Sequence, residues 1–245
     1  MSKSTKVSNP NAKGGSGFIW AVVAIIAIAA VVIGYIVMSG QGKKTEHLAD
    51  RERVDVAFTS DFSDNAVTLK SDNVKADAPE VDLYEDFSCS YCGKLAENTD
   101  ADMQAAIEAG DVVVNVRTLN FLDRGNIDGH STRAAAAVLA VAEAGETDVY
   151  WNYRAVLMEE QEDIYNKWSN DDFANAAKHV GASDAVVDKI RSGENVDAAN
   201  SLATANADKL NEETGSVSSP RVIRDGEDVV GEKGDINQWL KILLG

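Results

Sequence analysis

The chain has 245 residues, with 40 acidic against 23 basic side chains and a formal charge of −17. A field of that sign repels nucleic acid and anionic headgroups, which excludes nucleic-acid binding. The length fits one globular domain plus attachments.

Residues 1–17 carry Lys3, Lys6 and Lys13 and no acid, among several Ser, Asn and Gly. That is the composition of a short disordered tail. Phe18 to Met38 is a run of 21 uncharged, mostly apolar residues. At about 1.5 Å per residue it can cross a hydrocarbon core of about 30 Å. A cleaved signal peptide is the rival, but its apolar region runs only about 7–15 residues, so an uncleaved transmembrane signal anchor is expected. Lys43, Lys44, Arg51 and Arg53 follow the span, so counting positive charges does not orient it. A disulfide pair with no other cysteine suits an oxidising compartment. A short tail before a large domain is also the layout of a signal anchor. The expectation is a single-pass cell-membrane protein with its tail in the cytoplasm and its catalytic domain extracytoplasmic.

Residues 39–65 are polar and mixed, the composition of a linker. Ala66 to Lys70 is a candidate first strand, Val74 to Pro79 a turn, and Val81 to Tyr84 a short buried strand. Then comes Tyr84-Glu85-Asp86-Phe87-Ser88-Cys89-Ser90-Tyr91-Cys92-Gly93-Lys94-Leu95, which holds both cysteines. Two cysteines placed at random in such a chain fall three apart about once in 120, so the spacing is informative. Gly93 to Ala109 reads as a helix with Leu95, Thr99, Met103 and Ile107 on one face. Cys89 then sits at or just before a helix start, where unpaired N–H groups and the macrodipole favour an anion. Cys-x-x-Cys thiols there fall to pKa values of about 3.5–7.5. Cys89 is thus the expected exposed, attacking thiolate, and Cys92, one turn in, the resolving thiol. Zinc needs about four ligands, and His47, His130 and His179 show no matching spacing, so no metal and no cofactor is implied. An inert staple closing so short a loop restrains little of the unfolded chain. Dithiol–disulfide exchange is the favoured chemistry.

Gly110 stops that helix, and Asp111 to Leu119 is the clearest strand, Val-rich as buried strands are. Strand, helix and strand make a βαβ unit with parallel strands. Residues 131–214 are expected to be almost wholly helical: Ser131 to Ala144, Asp148 to Trp168, a helix capped by Ser169 with Asp172 at its third position, another capped by Ser183, and Glu194 to Thr214. The aromatics Tyr150, Trp151, Tyr153 and Trp168 are assigned to core packing over a peptide groove. Arg221 to Arg224 and Glu227 to Val230 form a hairpin around Asp225-Gly226. After a loop at Gly231 to Gly234, Asp235 caps a closing helix whose Ile236, Leu240, Leu243 and Leu244 face the sheet. Pro220 stands at the first position of a strand, where its missing N–H is tolerated, and both a plain turn and a cis bond fit there.

This order of strand, Cys-x-x-Cys helix, strand, helical block, Ser219-Pro220, hairpin and helix resembles the DsbA-like branch of the thioredoxin superfamily. The resemblance covers about residues 66–245. It rests on Ala76-Asp77-Ala78-Pro79, on Asp86-Phe87-Ser88-Cys89-Ser90-Tyr91-Cys92, and on Gly215-Ser216-Val217-Ser218-Ser219-Pro220-Arg221-Val222-Ile223. It implies an α/β fold: a thioredoxin-like core, with a central mixed sheet flanked by helices and a helical domain inserted at about 128–214; the apolar run at 18–38 adds one transmembrane helix in front. It also implies that Pro220 is cis beside the cysteines and that the Ser219 backbone pairs with an extended client. Two positions depart from the family. Leu83 stands where relatives often bury a relay acid, which leaves Glu85 and Asp82 as unassigned substitutes. Ser90-Tyr91 replaces the Pro-His of the strongest oxidants, which removes a positive neighbour and implies a less oxidising pair.

The expected function is disulfide formation in reduced secreted proteins, with reoxidation by a quinone-linked membrane partner as the resemblance implies. The competing functions are a reductase or isomerase of the same fold and a redox-inactive tethered binding or chaperone module.

Overall fold

In a computed structural model of the chain, residues 15–40, 43–231 and 234–245 are described. The chain divides into two compact units, 1–43 and 44–245. The first contains helix α1 (Gly15–Gly40), which takes in three residues expected in the tail; the rest of the tail lies outside the described residues. The expected span 18–38 falls within α1, whose side chains are described for 19–32, and the large apolar ones there stand exposed. Among the described residues no helix is long and apolar enough to cross a membrane.

The second unit is built on six strands: β1 (Thr59–Ser63), β2 (Ala66–Lys70), β3 (Glu80–Asp86), β4 (Val113–Leu119), β5 (Arg221–Arg224) and β6 (Glu227–Asp228), in spatial order β1-β2-β4-β3-β5-β6. Helix α2 (Ser90–Glu108) connects β3 to β4, and those two strands pair in parallel from Glu80↔Val113 to Asp86↔Leu119. The other pairings are antiparallel, so the sheet is mixed. Val81, Leu83, Val114 and Val116 are buried in its centre, and Leu95, Thr99, Met103 and Ile107 of α2 are all buried against it. The helical block is α3 (His130–Glu143), α4 (Thr147–Glu159), α5 (Gln161–Ile164), α6 (Asn170–His179), α7 (Asp184–Ser192) and α8 (Val196–Thr214). It interrupts the strand order between β4 and β5. The capping box at Ser169 and Asp172 is formed in full. Tyr150, Trp151, Tyr153 and Trp168 are buried in the core.

Four expectations are corrected. The linker at 39–65 carries strand β1, and Leu48 and Phe58 within it are buried, so the folded unit begins near residue 44. Asp64 and Asn65, with φ of 48° and 57°, make the tight turn joining β1 to β2. The helix expected from Asp148 to Trp168 breaks after α4, and Asn166 at φ 55° stops the run, a conformation asparagine tolerates. In the closing segment, α9 (Trp239–Leu244) buries Trp239 fully and leaves Leu244 42% exposed, because a 3₁₀ turn at Ile236–Gln238 rotates the face. The second hairpin strand stops at Asp228, two residues before Val230. Asp225 and Gly226, at φ 52° and 82°, form the predicted turn, whose second position glycine fills without strain.

Candidate active site

The sheet register places the site. In the antiparallel pairing of β3 with β5, Tyr84 stands opposite Arg221 and Leu83 opposite Val222. Residues 219 and 220 therefore lie just before the start of β5, beside the loop that leaves β3 toward Cys89. The Ser219–Pro220 peptide is cis. Its Ser219 carbonyl lies 3.3 Å from the Cys89 sulfur, which donates to it as a thiol.

Cys89 is the N-cap residue of α2, in an extended conformation with φ −87° and ψ 109°. Its carbonyl accepts from the Cys92 and Gly93 amides, closing the first turn, and its own amide donates to the Asp86 carbonyl at 2.9 Å. Both cysteines are free thiols. Their burial corrects one expectation: Cys89 is only 8% exposed, so it is a recessed sulfur, yet more open than Cys92 at 2%.

The two thiols are driven apart electrostatically. The Cys89 pKa falls to about 5, chiefly because the Cys92 thiol donates to it, with help from the Ser219 hydroxyl and the Cys92 and Tyr91 amides at the helix start; burial opposes the fall. The Cys92 thiol is pushed well above its usual range, first by burial and then by its hydrogen bond to Cys89 and the Cys89 charge. The Ser219 hydroxyl oxygen is buried with no hydrogen-bond partner among the described residues, and its proximity favours ionisation of both sulfurs.

Sequence reasoning missed the support beneath Cys89. Asp86 is fully buried, and one carboxylate oxygen accepts from the Ser88 amide at 2.9 Å and the Ser131 hydroxyl at 2.5 Å. Its other oxygen accepts from the Leu122 amide at 3.2 Å. Burial raises its pKa to about 6 against those hydrogen bonds. Asp86 thus ties the cysteine loop to α3 and to the turn after β4. The Asp-x-Ser spacing before Cys89 was the available signal, since aspartate commonly bonds the backbone two residues on.

Neither suggested relay acid is free. Glu85 is held by Arg154 at 2.6–3.1 Å, and Arg154 also pairs with Asp100 at 2.6 Å, all three on the α2 side. Asp82 points to the opposite face and pairs with Arg117 at 2.8 Å and with Asn115.

A recessed thiolate at a helix start, a more deeply buried partner thiol one turn on, and a cis-proline loop against them, all on a mixed sheet, define a thioredoxin-fold dithiol–disulfide protein. Comparison with known proteins agrees. The thioredoxin family model matches residues 75–243. The thiol–disulfide oxidoreductase MdbA of Corynebacterium diphtheriae is 51% identical, with a TM-score of 0.77 over 80% of this chain and 98% of that one. The Corynebacterium matruchotii MdbA is 42% identical, with a TM-score of 0.74 over 83% and 98%. A serine/threonine-protein kinase, PknE of Mycobacterium tuberculosis, is 27% identical over 171 residues, 67% of this chain, and the chain spans 29% of the kinase's length. The chain belongs to the thioredoxin family, in its DsbA-like thiol–disulfide oxidoreductase branch.

Proposed function

We propose that this enzyme works in the oxidising direction, as a membrane-anchored, extracytoplasmic catalyst that forms disulfides in reduced secreted proteins. In this reading Cys89 is the reacting sulfur and Cys92 the resolving one, and Ser219 and Pro220 present backbone to an extended client. A client thiolate attacks the Cys89 sulfur of the Cys89–Cys92 disulfide, and Cys92 leaves as a thiolate that takes a proton. The client's second thiolate then attacks the client sulfur of the mixed disulfide, and Cys89 leaves as the stabilised thiolate. Two client thiols become one disulfide while the enzyme pair becomes reduced. A quinone-linked membrane partner would return it to the disulfide.

The asymmetric sulfur pair carries the proposal. A Cys89 pKa near 5 makes it a good leaving group and stabilises the reduced enzyme, which favours giving the disulfide away. The anchor rests on the uncharged run from Phe18 to Met38 in the sequence. Equilibration of the pair with glutathione tests the direction. A potential toward about −120 mV supports oxidation, and one near about −270 mV would replace it with reduction. In the same assay system Cys89→Ser should abolish oxidation of a reduced model protein, while Cys92→Ser, which cannot form the internal disulfide, should be trapped as a mixed disulfide when its Cys89 thiolate attacks a client supplied in its disulfide form. Protease added to intact cells should digest the catalytic domain.

A further inference from the structure

A groove of about 670 Å³ begins at Ser90, next to Cys89, and runs along α2, walled on its far side by α4, α5 and the segment around residues 51–54. Its near end is Ser90, the residue after Cys89, and its far end is Gln104. That stretch of helix is about 21 Å long at 1.5 Å per residue. An extended chain rising about 3.3 Å per residue would place about six residues in it.

The lining has a definite chemistry. Ala96, Ala155, Met158 and Trp151 give it an apolar floor. Gly93 lets α2 come close there, since a Cβ at that position would lie 2.7 Å from the Met158 carbonyl. The walls carry five acids, of which two are already neutralised: Glu159 by Arg51 at 2.7 Å and Asp100 by Arg154 at 2.6 Å. Glu52, Glu97 and Glu162 are exposed and have no ion pair among the described residues. Against them stands Lys94, which leans over the Tyr91 ring at 5.6 Å.

We propose that this groove is a second client subsite, which takes an extended, lysine- or arginine-bearing segment adjoining the client's reacting cysteine. The inference rests on the oxidoreductase reading and deepens it. Backbone pairing at Ser219 and Pro220 is blind to side chains, whereas a basic segment lying on Glu97 and Glu162 would choose among clients. Its aliphatic stems would cover the alanine and methionine floor while its charged ends meet the rim. The groove begins at Ser90, the residue next to Cys89, so the segment it takes is one adjoining the client's reacting cysteine.

The test uses the full oxidised protein and two reduced dithiol peptides, alike except that the residues flanking their cysteines carry several lysines or several glutamates. The lysine peptide should react about tenfold faster at low salt, an advantage within the range of electrostatic steering. The double variant Glu97→Lys/Glu162→Lys should bring the two rates within about twofold. Its rate with the neutral thiol 2-mercaptoethanol should stay that of the unmodified protein. The control Asp197→Lys/Glu212→Lys places the same charge change on exposed positions of α8, away from the groove. If that control erases the preference equally, or if the groove variant keeps it, the subsite is wrong. An unmodified protein inert toward 2-mercaptoethanol would instead remove the oxidoreductase reading, and the subsite with it.

Discussion

At the scale of single residues, the chemistry rests on how three groups share the task of holding one negative charge. The Cys92 thiol contributes most to the low Cys89 pKa, the Ser219 hydroxyl next, and the first-turn amides after that. This order answers the missing Pro-His dipeptide: a neutral Ser90-Tyr91 pair removes a cation, and hydrogen-bond donors supply the stabilisation instead. The reduced protein should therefore show thiolate absorbance with a midpoint near pH 5, absent from Cys89→Ser. Cys92→Ala should raise that midpoint more than Ser219→Ala does. A hydrogen bond to a charged group contributes roughly 1.5–3 kcal/mol, about one to two pKa units, so the Cys92→Ala shift is expected in that range and the Ser219→Ala shift below it. A midpoint near 9 in the unmodified protein, or the reverse ranking of the two variants, would break this account.

At the scale of elements, Arg154 of α4 is fastened to Glu85 of β3 and Asp100 of α2, and it is only 2% exposed. It joins the helical block to the sheet and to the cysteine helix. Removing one partner of a buried pair leaves the other charge uncompensated, so Arg154→Met should destabilise by about 3–5 kcal/mol in urea unfolding. The double variant Arg154→Met/Glu85→Leu should recover much of that loss; no recovery would mean that Arg154 acts through packing alone. The triad was invisible in the sequence because Asp100 and Arg154 stand 15 and 69 positions from Glu85, which the sequence offered only as a substitute relay acid. What the sequence did disclose came from local rules with short range. The βαβ unit, the capping box at Ser169 and Asp172, the Asp225-Gly226 turn and the buried face of α2 are all of this kind. β1 escaped because it is a short edge strand with Phe62 as its one apolar residue among alternating exposed and partly buried positions, although Asp64-Asn65 marked its turn. Trp239 escaped because a 3₁₀ turn shifts the helical phase just before it. In the site, the cysteines and Pro220 could be named from spacing and resemblance. The recess of Cys89 and the Asp86–Ser131 tie depend on chain segments more than forty residues apart.

At the scale of the whole molecule, the ionised sulfur links redox state to folding stability through pH. Unfolding returns Cys89 from about 5 to its ordinary pKa near 9, so above pH 5 the unfolded reduced chain binds more protons than the folded one. A depressed folded pKa contributes stability that is complete above the unfolded value and is lost as pH falls through the folded one. Two units between pH 5 and pH 7 correspond to roughly 3 kcal/mol in favour of the reduced fold. The oxidised protein has no such thiol, while Asp86 and the other buried acids are common to both forms and largely cancel in the comparison. The disulfide closes a very short loop, and its restraint on the unfolded chain does not vary with pH. The difference in unfolding free energy, reduced minus oxidised, should therefore rise by about 1.4 kcal/mol per pH unit between pH 5 and pH 8 and flatten below pH 5. Urea titrations of both forms at several pH values measure it directly. Curves that run parallel across that window would show that the fold does not hold Cys89 as a thiolate, whatever the rate of exchange.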